Sequence, residues 1–158
     1  TFRFNGNLAG VSCIPAAEPL SIGNQAGFDF PLPGAFSDTD ATPLLCAGAI
    51  GYRSLTLAEL TDVEPLGLNG FGASGYLVLK MVRHRYPRTR IRVFARREEE
   101  RHSALYLGAA GAGDTEPNPL TAVIDTTPAW RPVLEALKSL SGGRLIINAI
   151  RKEEVDRD

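Results

Sequence analysis

The sequence predicts an α/β fold, a doubly wound parallel sheet with helices on both faces. Three observations predict it. From residue 64 to residue 150, runs of β-forming apolar residues alternate with stretches of helical period. A glycine-rich turn, Gly70-Phe71-Gly72-Ala73-Ser74-Gly75, sits between the first such run and the first such helix. The run Leu120 to Asp125 is apolar throughout with an acidic end, as a strand buried on both faces reads. At 158 residues the chain is long enough for one domain with a real core.

Residues 1–36 are rich in Gly, Pro, Asn and Ala and show no helical period, so they read as an irregular N-terminal segment. Within it Phe28, Phe30 and Leu32 alternate, an extended stretch closed by Pro31 and Pro33. Residues 37–158 read as one α/β domain. Ser37, Asp38 and Asp40 are N-cap candidates, and a helix follows through Leu44, Leu45, Cys46, Tyr52, Leu55 and Leu57, with Pro43 in its first turn. Taken alone, Cys46 reads as a small buried residue of that helix. Thr61 and Asp62 form a linker, and Leu66 and Leu68 mark the first strand of the alternating region.

Leu77, Val78, Met81 and Val82 recur at helical spacing until Pro87 stops them. Arg90 to Ala95, carrying Ile91, Val93 and Phe94, is the second strand. Glu98, Glu99 and Glu100 crowd the start of the next helix, where the dipole favours them, and Gly108 closes it after Leu107. Residues 109–114 hold a short third strand and 116–119 a loop. Trp130, Val133, Leu134 and Leu137 fall at i, i+3, i+4 and i+7, one helical face. Gly142 and Gly143 cap that helix, and Leu145 to Ile150 is the last strand.

Composition excludes several classes. The net charge is −1, so there is no general nucleic-acid footprint. No apolar run approaches the roughly 20 residues that span a bilayer. The first residues lack the charged and apolar regions of a signal peptide. Two cysteines are too few for a disulfide framework, and a reducing cytoplasm is the default setting.

The glycine spacing between a strand and a helix has a specific chemistry. Gly70 allows a tight turn, Gly72 lets backbone approach a pyrophosphate, and Gly75 lets the helix pack closely on the strand. The first N–H groups of the helix then face the phosphates. The pattern reads as the Rossmann-type turn of a dinucleotide-binding domain, the alternative being a glycine-rich βα turn with no ligand. Such domains usually carry a carboxylate at the end of the second strand, for the adenine ribose. Here that place holds Ala95, followed by Arg96 and Arg97. A small residue leaves room for a 2′-phosphate, and guanidinium groups suit a phosphate monoester. The pattern favours NADP over NAD. The competing assignment makes both arginines solvated helix-entry charges paired with Glu98 to Glu100.

Pro43-Leu-Leu-Cys-Ala-Gly48, Gly70-Phe-Gly-Ala-Ser-Gly75, Leu107-Gly-Ala109, Ala122-Val-Ile-Asp125 and Gly143-Arg-Leu-Ile-Ile-Asn-Ala149 occur in this order. From about residue 30 onward the chain resembles the zinc-type alcohol dehydrogenases of the medium-chain dehydrogenase/reductase superfamily. The resemblance implies the cofactor half of a two-domain enzyme, with the domain that brings most zinc ligands not in this chain. It implies that Cys46 supplies one ligand of a catalytic zinc in the full-length enzyme, and that this chain alone builds no competent zinc site. His84 and His102 read as surface residues. It places Ile50, Asp125, Thr126, Thr127, Asn148 and Ala149 at the nicotinamide side. It also implies a further strand beyond residue 158, without which one sheet edge stays open to a second copy. The activity implied is hydride transfer between an alcohol or aldehyde and the nicotinamide. The alternatives are a zinc-free quinone or enoyl reductase, against which Cys46 argues, and a non-catalytic nucleotide-binding module.

Overall fold

The computed structural model describes residues 2–5, 13–15, 29–31, 35–113, 119–149 and 151–153. Phe28 and Leu32 of the predicted alternation, Asp114, residues 116–118 of the predicted loop and Ile150 lie outside the described residues, as do residues 154–158. The chain divides into two compact units, residues 1–49 and 50–158.

In the first unit, strands β1 (Phe2–Asn5), β2 (Cys13–Pro15) and β3 (Asp29–Pro31) form an antiparallel sheet in the order β2-β1-β3. So the stretch read as irregular holds two strands besides the extended segment around Phe30. After it, the predicted single helix is broken. A short helix α1 (Asp38–Ala41) runs into a 3₁₀ turn over Thr42–Leu45, and α2 (Ala47–Ala58) begins only after Cys46. Pro43 lies at the start of the 3₁₀ turn, where a missing N–H costs least. Cys46 is therefore exposed at a helix break, not buried within a helix. The buried-helix assignment for it was wrong because the chain unwinds at that residue.

The second unit is a five-stranded sheet in the order β6-β5-β4-β7-β8, all pairs parallel. The strands are β4 (Leu66–Asn69), β5 (Ile91–Phe94), β6 (Gly111–Gly113), β7 (Leu120–Asp125) and β8 (Leu140–Ile147). Helices α3 (Ala73–Arg85), α4 (Glu98–Tyr106) and α5 (Arg131–Ser139) connect them. Leu66, Leu68, Leu79, Ile91 and Ile124 are fully buried. Each such side chain contributes about 1.5–3 kcal/mol by leaving water. They join Val78, Val82 and Ala104 from α3 and α4 in one cluster. Val123, Ala136, Phe94 and Leu145 form a smaller cluster under α5. The two clusters are the two faces of a doubly wound α/β sheet of Rossmann type, as expected. The chain leaves β4 toward β5 on one side and returns to β7 on the other, so the switch point lies between β4 and β7.

Two expectations fail in this unit. Gly142 and Gly143 do not cap α5, which ends at Ser139. They lie inside β8, at a bulge where the register shifts between Leu120↔Leu140 and Ala122↔Arg144. A Cβ on Gly143 would stand 2.0 Å from Thr121 O, so the two backbones approach there as no other residue permits. The predicted apolar face of α5 is only partly a core face. Val133 and Ala136 are buried, but Leu134 and Leu137 are 56% and 55% exposed and Trp130 is 39% exposed. Among the described residues β8 is the edge of the sheet beneath α5, and no further described strand lies under the rest of the stripe. Among the described residues, no helix is long and apolar enough to cross a membrane.

Candidate dinucleotide-binding site

At the C-terminal end of β4 the chain turns at Gly70, whose φ is +82°, a conformation that disfavours any Cβ. A Cβ there would also stand 2.7 Å from Thr126 Oγ1. Gly72 is the N-cap of α3 and has no side chain to satisfy the helix donors. A Cβ on it would meet nothing within 4 Å. Gly75 is the reverse: its Cβ would come within 2.6 Å of Gly70 O, so only glycine lets α3 sit on the turn. Turn, open approach and close packing are thus divided among three glycines.

The first backbone N–H of α3 with a helical partner is that of Tyr76, which donates to Gly72 O at 2.9 Å. The N–H groups just before it are the orphan donors of a helix start. No acidic residue occupies the first turn to neutralise them. They form an open, partly positive site suited to phosphate. Ala73 is exposed and Ser74 half-buried beside it. Phe71 is 7% exposed and packs its ring toward Tyr76, so it offers the site its backbone alone.

The end of β7 closes one side. Thr126 donates from both its backbone N–H and its hydroxyl to Asn69 O, each at 2.9 Å. Buried Asn69 in turn donates through Nδ2 to Pro132 O at 2.9 Å. Thr127 Oγ1 donates to Asp125 Oδ1 at 2.8 Å. The Asp125 carboxylate is fully buried and also accepts from Lys152 Nζ, so it is engaged within the protein. Asn148, just past β8, donates its backbone N–H to Asp125 O at 2.8 Å. Its side-chain Nδ2 is buried with no partner among the described residues. An unmatched buried donor is costly, and one placed here suits a polar ligand. Ala149 beside it is half-buried. Ile50 is 39% exposed on α2, next to Gly51, whose Cβ would stand 3.7 Å from Ser74 O.

The end of β5 closes the other side. Gly70 N–H donates to Phe94 O at 2.8 Å, which brings the two strand ends together. Ala95 turns its methyl into the core and is 6% exposed. Arg96 and Arg97 are exposed, and neither guanidinium has a hydrogen bond or ion pair among the described residues. Glu98 is placed by His102 at 3.7 Å instead, so the predicted pairing of the arginines with the acidic run is not the observed one. Arg97, Glu98, Glu99 and His102 line an open depression of about 640 Å³. Arg101 pins this turn, donating from Nε to Ala95 O at 2.6 Å and from a terminal nitrogen to Arg96 O at 3.1 Å.

The structure therefore gathers Gly70 to Gly75, Thr126, Thr127 and Asn148 around the switch point, with Ala95, Arg96 and Arg97 at the neighbouring strand end. Sequence reasoning missed Arg101 and Lys152. Arg101 follows three glutamates, and only the folded turn brings the carbonyls of Ala95 and Arg96 to it. Lys152 lies in a charged run that reads as a tail. The thiol of Cys46 is exposed and belongs to the first unit. Among the described residues no three His, Cys, Asp or Glu side chains gather as metal ligands, and His84 and His102 are exposed. These residues do not fit a zinc ion.

No family model matches the chain. It is 38% identical over 155 residues to a Mycobacterium tuberculosis protein described as probable alcohol dehydrogenase AdhA. The match covers 96% of this chain and 41% of that protein, so the chain spans about two fifths of the length of that relative. Among solved structures it is similar to a CAD from Helicobacter pylori complexed with NADP(H), at 28% identity and a TM-score of 0.62. That likeness covers 69% of this chain and 32% of the other. A quinone oxidoreductase from Thermus thermophilus, solved also with NADPH, is 26% identical with a TM-score of 0.65, covering 75% of this chain and 42% of that one.

Proposed function

We propose that the chain is the cofactor half of an alcohol dehydrogenase of the medium-chain dehydrogenase/reductase superfamily, a reading its likeness to the mycobacterial and Helicobacter proteins supports, and that it binds NADP(H) for hydride transfer between an alcohol and an aldehyde. One observation carries the binding: the α3 N-terminus at the switch point is uncapped, free of carboxylates and open where a Cβ at Gly72 would lie. When bound, the nicotinamide accepts or gives up a hydride. The chain's own part is to hold and orient it. The α3 amides hold the pyrophosphate, and Thr126, Thr127, Asn148, Ala149 and Ile50 border the nicotinamide end. Asp125 contributes by fixing Thr127, not by touching the ligand. In the full-length enzyme Cys46 would supply one ligand of a catalytic zinc. A second copy along the β8 edge is the protein partner this reading assigns, tested by light scattering.

For the choice of cofactor, Arg96 and Arg97 meet the 2′-phosphate. Their guanidinium groups have no partner among the described residues and adjoin the turn that Arg101 pins. Glu98 and Glu99 share the depression and oppose a phosphate, so the preference is a difference between the two signs. Hydrogen bonds to charged groups contribute about 1.5–3 kcal/mol, roughly ten- to a hundredfold in affinity. Calorimetry with NADP and NAD side by side tests this. The wild type should favour NADP by that margin, and Arg96→Ala should erase most of it. Ala95→Asp is not a clean test, because it buries a carboxylate in the core. Equal affinities in the wild type at low salt would return the arginines to solvated charges.

A zinc-free quinone reductase is the second reading, favoured by the likeness to the Thermus protein. Turnover of a quinone but no alcohol by the full-length enzyme would favour it.

A further inference from the structure

We infer that Lys152 is a positioning residue: it clasps the loop after β7 and so sets the wall that holds the nicotinamide half of the dinucleotide. The inference rests on the cofactor reading above.

The Lys152 ammonium donates to Thr127 O at 2.8 Å, to Ala129 O at 3.0 Å and to the Asp125 carboxylate. An ammonium has three donors, and all are used. The pair is buried, with side-chain exposures of 9% for Lys152 and 0% for Asp125. The other Asp125 oxygen takes the Thr127 hydroxyl. Next to Lys152, the Glu153 N–H donates to Pro128 O at 2.6 Å. The ammonium also lies 5.8 Å from the centre of the Trp130 ring, within range of a cation–π attraction. The segment beyond β8 is thus fastened to residues 125–130 at several points.

That loop is the wall of the crevice. Thr126, between Asp125 and Thr127, holds Asn69 O and stands against Gly70. Two loop carbonyls and a carboxylate converge on one point, which suits a compact ammonium better than a planar guanidinium. A buried ion pair adds little stability over well-packed apolar groups, so stability alone does not account for this one. What it supplies is a fixed loop shape. Lys152 acts through Thr127 and Asn148's neighbour Asp125, and touches no reacting atom.

The test uses the whole 158-residue chain, with NADPH and adenosine 2′,5′-bisphosphate as probes. The second probe has the phosphorylated adenosine end but no nicotinamide. Lys152→Met should weaken NADPH binding by about tenfold or more and shift the emission of bound NADPH. It should leave adenosine bisphosphate affinity within about twofold. Because Lys152→Met leaves a buried carboxylate alone, Asp125→Asn with Lys152→Met is the second variant, and it should show the same selective loss. An equal loss for both probes, or no loss for NADPH in a folded variant, would overturn the inference. Failure of the cofactor reading looks different: the wild type itself would bind no dinucleotide, and both readings would fall.

Discussion

Gly72→Val separates a ligand cradle from a mere turn. Gly72 has φ −81° and ψ −162°, which any residue adopts, and a Cβ there meets nothing within 4 Å. Valine should therefore fit the folded chain. Its cost is that of a poorer N-cap, about 0.5–1 kcal/mol. For a chain of this size that lowers Tm by about 1–4 °C. On the ligand side valine fills the space a pyrophosphate needs. Losing two charge-assisted hydrogen bonds costs about 3–6 kcal/mol, more than a hundredfold in affinity. Gly75→Ala is the control of opposite sign. Its Cβ would lie 2.6 Å from Gly70 O, a backbone atom that yields only by moving α3 off the turn. Such overpacking costs about 1–3 kcal/mol. Thermal melts and calorimetry with NADPH read both variants. The reasoning is refuted if folded Gly72→Val binds with unchanged affinity, or if Gly75→Ala melts like the wild type.

Gly143→Ala should destabilise the chain by more than about 1 kcal/mol, since its Cβ would meet Thr121 O at 2.0 Å, and denaturant unfolding measures it; wild-type stability would show that the β8 bulge is not as tight. The Asp62 carboxyl, held below its ordinary value by hydrogen bonds from the Arg88 side chain and backbone, ties the linker to the turn before β5. Because its folded pKa is depressed, the stability it contributes is present above about 3.8 and lost as pH falls through the lower folded value. Asp62→Asn should flatten that acid limb of the stability curve, and an unchanged limb would contradict the assignment. The isolated chain should hold no zinc after dialysis, since Cys46 has no ligand set among the described residues; stoichiometric, chelator-resistant metal would overturn this.

What the sequence made legible was local. Gly70, Gly72 and Gly75 declare themselves because each constraint, a positive φ, an open approach, a close packing, involves residues within one turn. Gly108 after α4 is legible for the same reason, with φ +94°. What stayed hidden depends on partners far along the chain. Lys152 lies in a charged run, and only the fold brings Asp125 to it from 27 residues away. Gly143 resembles a helix cap until Thr121 of the neighbouring strand is in place. Leu134 and Leu137 have the period of a core face, but β8 is the last described strand of the sheet beneath them. Cys46 lies at a break that Pro43 and the 3₁₀ turn create, whereas the residues on either side of it, Leu45 and Ala47, are good helix formers.

The central claim is that the freed amides at the start of α3 hold a dinucleotide pyrophosphate. Hydrogen–deuterium exchange of the wild-type chain, with and without saturating NADPH, tests it most directly. Protection is predicted at residues 72–75, with lesser protection at 126–127, and none on the exposed face of α5. NADPH binding that leaves the amides of residues 72–75 exchanging as fast as in the free chain would contradict the account.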